Sequence, residues 1–462
     1  MFVGREKELQ DLHNFYENTE TEILVLYGQT GMGKTALLKQ FLEGKEHFYY
    51  NGVSCSSLQQ RSFITHYLTD IGFSFSQIPE YEEILFSIAQ NIEDKAIIVL
   101  DEFQYLGRTE DTFFQALKNY IEKRTQRKLL LILVSSAMAW VQSLKEENSP
   151  LTKEAVFYKL EELTYGDFQQ FFPNFAKKES ITAYSILGGI PGLWSYFQDK
   201  LSLRENIEGT FLKADHPLSS LAQQLVAEEI RETAVYNTIL CAMAQGKEKL
   251  NDLYHVTGFS RAKISVYLKN LIHLDLVEKV TCIDTGEKEH RKKGSYRICH
   301  SYLRFYYRYV FFNHYRQNTL NSALFYDKMI ADDLPDFSKD SFKKVCREFI
   351  EGENKKGRLP GDFTFLGTWT GKAGDIDFVY EDLQEEEILA GICNWEKKMM
   401  TLEDYQRFVK CKEQANIIPD FEILCSAGNF DNHLRELSKK IQGLPWYTWS
   451  RWDKKRKEWE NS

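Results

Sequence analysis

The sequence predicts an α/β protein: a parallel sheet under helices first, then a helical region, then a smaller α/β module. Three observations carry this. Four runs, "TEILVLYG" (21–28), "HFYYNGVS" (47–54), "KAIIVLDEF" (95–103) and "KLLLILVSS" (128–136), are rich in β-formers and nearly free of charge, as strands buried on both faces are. Helix-like segments alternate with them, which is the βαβ pattern. Strand-like runs then vanish from about 166 to 228 and return after 335 as "GDIDFVY" and "ILAGICNW".

A chain of 462 residues divides naturally into two to four units. The expected organisation is a core at 1–165, a helical lid at 166–228 broken by "GGIPG", and a compact helix-and-hairpin region at 229–300. An aromatic helical connector at 301–334 and a second α/β domain at 335–462 follow. An apolar content of 43% permits sizeable cores, and a net charge of −9 argues against a general polyanion-binding surface while leaving room for a local basic patch. The eight cysteines are scattered without a CxxC pair, which fits neither a disulfide framework nor a zinc ribbon and suits a reducing compartment. The longest aliphatic run, "LLLILV" (129–134), is far short of a membrane span, so a cytoplasmic protein without membrane contact is expected.

The first strand leads into "GQTGMGKT" (28–35), with a helix pattern behind it. Gly28, Gly31 and Gly33 would let backbone N–H groups turn inward around phosphates, and the helix would present its positive end to them. Lys34 would reach the β- and γ-phosphates of ATP and the Thr35 hydroxyl would ligate Mg²⁺. The third run ends in Asp101-Glu102. Asp101 would complete the magnesium shell and Glu102 would polarise the attacking water; otherwise the pair caps the next helix. Ser135 and Ser136 end the fourth run, where a hydroxyl would either sense the γ-phosphate or cap a helix. An acid beside the magnesium ligand favours hydrolysis over mere holding of the nucleotide.

Taken with "FVGREKEL" (2–9), "VLDEFQYL" (99–106) and "LGGIPGLW" (187–194), this loop resembles the archaeal-type ATPases of the STAND class. The resemblance implies a P-loop ATPase, a winged helix and a C-terminal restriction-endonuclease-like domain. It places the opening segment, with Arg5, near the adenine, and Pro191 near the base from the lid. Where the family often carries Pro-Leu-Tyr-Gly-Arg, this chain reads "SPLTKEAVF" (149–157), with Lys153 near the arginine's place. A lysine lacks the guanidinium fork, so turnover could be slow or need a partner, and a nucleotide-locked switch is the alternative.

In the helix-and-hairpin region, "SRAKISVYLKNLIHLDLVEKV" (260–280) puts Ile264, Tyr267, Leu268 and Leu271 on one face and Arg261 and Lys269 on another. A winged helix places its DNA contacts on such a face. The charged turn would add Lys288, Arg291, Lys292 and Lys293 as phosphate contacts, or would only be solvated while the domain meets protein or a second copy. In the last domain, Asp377 and the helix acid Glu348 match a metal-dependent nuclease pattern, but Ile392 and Asn394 stand where Glu-x-Lys belongs. The shifted frame Glu396-Lys397-Lys398 would come late, so a degenerate domain is expected. The tail (445–462) mixes tryptophans with cations, either to stack on bases or to close the domain's own core.

Overall fold

A computed structural model describes residues 2–18, 23–91, 96–108, 112–123, 129–146, 151, 155–229, 232–281, 283, 294–317, 319–440 and 446–448. It divides into two compact units. The first comprises Met1–Leu163, Ile190–Tyr196 and His273–Asp275, and the second Thr164–Gly189, Phe197–Ile272 and Leu276–Ser462.

The α/β class and the parallel sheet expected from the sequence are present. In the first unit, β1 (Ile23–Tyr27), β2 (His47–Asn51), β3 (Ala96–Asp101), β4 (Leu129–Ser135) and β5 (Ala155–Lys159) form one all-parallel sheet in the order β2-β3-β4-β1-β5. Every residue of β1 and β4 is buried, which explains why their sequences are unbroken apolar runs. Chain order and sheet order differ: β4 inserts between β1 and β3, so the carboxyl ends of these three strands lie side by side.

The helix Lys34–Leu42 buries Leu37, Leu38, Phe41 and Leu42 on this unit. Rings from the helix Glu6–Glu17 cover Phe41, with His13 edge-on at 5.4 Å and Tyr16 at 6.2 Å.

In the second unit, the helix Lys177–Leu187 is buried from Ser180 to Leu187 and packs against the long helix Leu334–Lys355. Their serines Ser185 and Ser338 meet at 3.1 Å between hydroxyl oxygens. The helices Thr233–Ala244, Leu250–Thr257 and Arg261–His273 precede an antiparallel hairpin, β6 (Val277–Thr281) and β7 (Gly294–Ile298). Ile264, Leu268 and Leu271 are buried as their spacing predicts. Lys288, Arg291, Lys292 and Lys293 lie outside the described residues, as do Lys153 and the tail from 449 onward.

The aromatic connector forms the helix Ser301–Phe305, which continues as a π-helical turn, Tyr306–Phe311. Asp333 fastens it, accepting from Arg308 at 2.7 and 2.6 Å and from the Tyr309 hydroxyl at 2.7 Å.

The last sheet is mixed, in the order β14-β12-β10-β9-β8, from β8 (Thr364–Thr370), β9 (Asp375–Asp382), β10 (Glu387–Asn394), β12 (Phe421–Ser426) and β14 (Trp446–Thr448). A separate two-stranded pair joins β11 (Met399–Met400) to β13 (Asn429–Phe430). One face of the sheet carries Ile376, Val379, Ala390, Ile392 and Leu424 into a core with Tyr405, Phe408 and Cys411 of the helix Leu402–Ala415.

Pairing skips from Gly367↔Val379 to Trp369↔Ile376, two residues of β8 against three of β9. Such an irregularity re-aims side chains. Asp377 is thereby turned away from the face of Ile376, onto Lys343 of the helix Leu334–Lys355 at 2.6 Å and the Cys393 N–H at 2.7 Å.

This corrects the expected nuclease frame. Ile392 belongs to the opposite face's core, and Asn394 bonds the Lys397 carbonyl and Ser426, each at 3.0 Å. The residue of β10 that meets Asp377 is Cys393. Glu348 is no companion either: its carboxylate accepts from the Tyr165 N–H at 2.9 Å and the Tyr184 hydroxyl at 3.1 Å. Glu396 and Lys397, beyond the end of β10, pair with Lys339 and Asp404.

Phe41→Ala should cost about 3–5 kcal/mol, because its ring is fully enclosed. Urea unfolding checks this, and a loss under about 1 kcal/mol would mean that the N-terminal helix does not seal the core.

Candidate functional site

The loop after β1 is built for a tight turn. Gly31 (φ 88°) and Gly33 (φ 89°) lie in the left-handed region, where a side chain is strained. Gly33 is the N-cap of the helix Lys34–Leu42, and no side chain caps that helix. Its first amides are therefore free of a side-chain competitor for an anion. The Lys34 ammonium donates to the Gly28 carbonyl at 2.6 Å and the Gln29 carbonyl at 3.1 Å. Burial lowers its pKa, while Glu102 and Asp101 act in the opposite sense.

Beside the loop, Asp101 ends β3 with only 6% of its surface exposed. Its Oδ2 accepts from the Thr35 hydroxyl at 3.3 Å and from the Tyr49 hydroxyl on β2, and its Oδ1 accepts from the Glu102 N–H at 2.9 Å. Burial, then the bond to Asp101, pushes the Tyr49 hydroxyl pKa upward. Glu102 adopts φ 48°, an uncommon conformation for a residue with a side chain. Ser136 and Gln104 donate to its Oε2 at 2.7 and 2.5 Å. Ser135 donates to Gln104 Oε1 at 2.7 Å and accepts from the Ala137 N–H at 3.1 Å. Gln104 thus ties the ends of β3 and β4 together through both ends of its amide.

Ser135 is fully buried and its hydroxyl is committed to that network, so it positions Gln104, and the serine touching Glu102 is Ser136. Pro191 lies at the phosphate end of the loop, its ring about a van der Waals contact from Gly33. The Gly192 N–H donates to the Gly31 carbonyl at 2.9 Å. Arg5, 3% exposed, is turned inward: it donates to the Met32 carbonyl at 3.0 Å, the Glu161 carbonyl at 2.8 Å and Glu8 at 2.8 Å. Sequence reasoning missed Tyr49, Gln104 and Gly192. A polar residue two places after Glu102, at the start of a buried turn, was the available signal for Gln104; for Tyr49 only sheet order could have supplied one.

The residues present fit a nucleoside triphosphate with Mg²⁺. Thr35 and Asp101 bring two hard oxygen donors together, the kind magnesium prefers, and the uncapped helix and Lys34 suit phosphate oxygens.

A Cβ on Gly192 would lie 2.8 Å from Gly31 Cα and 2.9 Å from its oxygen. Overpacking of about 1–3 kcal/mol should weaken binding of a fluorescent ATP analogue about 5- to 150-fold in Gly192→Ala. Gly209→Ala, whose Cβ meets nothing within 4 Å, serves as the control. Equal affinities would show that the 190–196 segment does not shape the loop.

Comparison with known proteins agrees with this geometry. Over 430 residues, 88% of this chain and 94% of the other, the chain is 27% identical to an uncharacterized protein of Methanocaldococcus jannaschii. An uncharacterized ATP-binding protein of the same organism is 41% identical over 46 residues, 10% of this chain and 78% of the relative. Among solved structures, the Walker-type ATPase PABY2304 of Pyrococcus abyssi aligns with a TM-score of 0.50 at 18% identity, covering 66% of this chain and 96% of that one. Residues 306–408 match a family described as archaeal and bacterial proteins of unknown function. Residues 2–197, the segment that holds the parallel sheet, its glycine loop and the 190–196 segment, match the ATPase domain found predominantly in Archaea, and the core they build is that of a P-loop ATPase.

Proposed function

We propose that the protein is a Mg²⁺-dependent ATPase of STAND type, in which ATP binding and hydrolysis reposition a lid, a winged helix and the C-terminal domain. The observation that carries this is the convergence of Lys34, Thr35, Asp101 and Glu102 at the carboxyl ends of β1 and β3, the two strands that flank β4, braced through Ser136 beyond β4.

Gly28, Gly31 and Gly33 hold the phosphates with backbone amides, and Lys34 exchanges its loop carbonyl partners for phosphate oxygens. Thr35 and Asp101 hold the magnesium, with Tyr49 steadying the Asp101 oxygen that meets Thr35. Bound magnesium neutralises charge on the β- and γ-phosphates. Glu102 orients a water for in-line attack on the γ-phosphorus and takes up its proton. The bond between the γ-phosphorus and the β-bridging oxygen breaks, giving ADP and phosphate. Ser136 and Gln104 fix the carboxylate at one oxygen, leaving the other to face the water.

Two stretches remote in sequence, 190–196 and 273–275, belong to the same compact unit as the loop. Gln29 in the loop donates to the Leu274 carbonyl at 3.4 Å, and Lys159 pairs with Asp275 at 2.5 Å. These contacts support the idea that a change at the phosphates is felt at both segments. DNA is the proposed partner of the winged helix through Arg261 and Lys269, with Lys292 and Lys293 added from the sequence alone. Arg261 stacks over Tyr254 at 4.0 Å and donates to Asn251 at 2.6 Å, so a DNA contact would have to compete with those bonds.

A second reading, a nucleotide-locked switch, is favoured by one feature. The Gly192–Gly31 backbone bond closes the lid segment directly onto the loop, which would slow exchange. An active nuclease is not favoured, because Asp377 is occupied by the Lys343 ammonium and the Cys393 backbone N–H.

Steady-state release of phosphate, with and without duplex DNA, separates the readings. Glu102→Gln should lower turnover at least about 100-fold while retaining ATP binding, and Lys34→Ala should lose binding. Bound ATP with no turnover in the wild type would establish the switch instead. Turnover indifferent to DNA at low salt would remove DNA as the partner.

A further inference from the structure

We infer that Cys346, Cys393 and Cys425 form a binding site for a thiophilic divalent cation, Zn²⁺ being the natural occupant, inside the C-terminal domain. The three sulfurs arrive from separate elements: Cys346 from the helix Leu334–Lys355, Cys393 from β10 and Cys425 from β12. Cys393 and Cys425 are direct neighbours in the parallel register. All three sulfurs lie within 4.8 Å of one another. Tetrahedral zinc with bonds of about 2.3 Å to sulfur needs ligand sulfurs about 3.8 Å apart. Shifts of up to about 1 Å close the difference.

Three features separate this trio from cysteines that merely fill a core. Cys346 and Cys425 are 0% and 1% exposed, yet Cys393 is half-buried, which gives an ion a route in. The trio also lies beside a buried polar pair. Asp377, 7% exposed, accepts from the backbone N–H of Cys393 and is held by Lys343 at 2.6 Å. A carboxylate bonded to a ligand residue and locked by its own partner is the outer-shell arrangement that orients metal ligands. Finally, the number is odd, so pairing two sulfurs as a disulfide would strand the third.

The chemistry selects the ion. Magnesium prefers oxygen ligands, whereas thiolates select zinc and similarly soft ions. The nuclease-like position therefore carries a different metal preference from the one its Asp377 suggests. Bound zinc would clamp the long helix to β10 and β12 from within, with the fourth position completed from the half-buried Cys393 side.

The test uses the full-length protein, reduced and freed of metal, titrated with Co²⁺ alone. One equivalent should give the near-ultraviolet thiolate-to-cobalt band and the intense visible bands of a tetrahedral sulfur site, and Zn²⁺ should displace it. Cys393→Ser and Cys425→Ser should weaken binding by more than about 100-fold, beyond the usual cost of losing an outer-shell partner. Cys411→Ser, on the opposite face of the sheet, should leave it unchanged. Should the serine variants fail to fold, alkylation of the wild type decides: Zn²⁺ should protect Cys393, the half-buried member of the trio, but not Cys55. Absence of the bands, bands that survive Cys393→Ser, or alkylation indifferent to Zn²⁺ would overturn the assignment. A Cys393–Cys425 disulfide in protein purified without reductant, together with failure to bind Co²⁺ after reduction, would replace it with a redox pair.

Discussion

Parallel strands all end on the same side of a sheet, and in this protein β4 is inserted between β1 and β3. From that arrangement the chemistry of the first unit follows. The loop after β1, the acids that end β3 and the serines that end β4 become neighbours, although they are far apart in the chain. The central strands β1 and β4 are buried along their whole length, so their polar chemistry is confined to the strand ends. Lys34 and Asp101 are almost buried there. A buried charge without partners would cost several kcal/mol, so loop carbonyls, Thr35, Tyr49 and the Glu102 amide surround them. The low dielectric that makes these partners necessary also strengthens the pull of the same groups on phosphate.

Backbone contacts, more than side chains, join the periphery to this centre. Gly192 approaches Gly31 so closely that it could not carry a Cβ without displacement, and its amide bonds the Gly31 carbonyl directly. Arg5 reaches two further backbone carbonyls, at Met32 in the loop and Glu161 beyond β5. A shift of the loop by a few tenths of an ångström therefore alters bonds at three remote stretches of chain. Close-packed contacts of this kind tend to hold or break as units, which suits a nucleotide-dependent change of state.

What was legible in the sequence was local. The strand runs, the glycine loop with Lys34 and Thr35, and the Asp101-Glu102 pair each announce themselves within about ten residues. What was not legible needed three-dimensional adjacency. Tyr49 reads as one more aromatic in a β-rich run until β2 is seen to lie beside β3. Ser135 offered two roles with the same local signature, and neither announces the bonds that its hydroxyl makes to Gln104 and the Ala137 amide. Pro191 was expected near the base from its motif alone, and a motif does not announce that its ring would also stand 3.5 Å from a Cβ built on Gly33.

The C-terminal sheet shows how register irregularities escape a motif read from the sequence. The nuclease pattern sets Ile392 and Asn394 where Glu-x-Lys would meet Asp377. β8 and β9 pair with two register shifts, between Phe365 and Gly367 and between Gly367 and Trp369, the second taking three residues of β9 against two of β8. On the corrected face its neighbours are Cys393 and Lys343. The same correction supplies a physical reason for three cysteines that looked scattered in the sequence. Their spacing of tens of residues hides the fact that one helix and two adjacent strands deliver them to one point. Among the described residues no group of acids that could hold a metal gathers around Asp377. Its buried carboxylate is held instead by the Lys343 ammonium and the Cys393 N–H, partners that place no demand on Ile392 or Asn394.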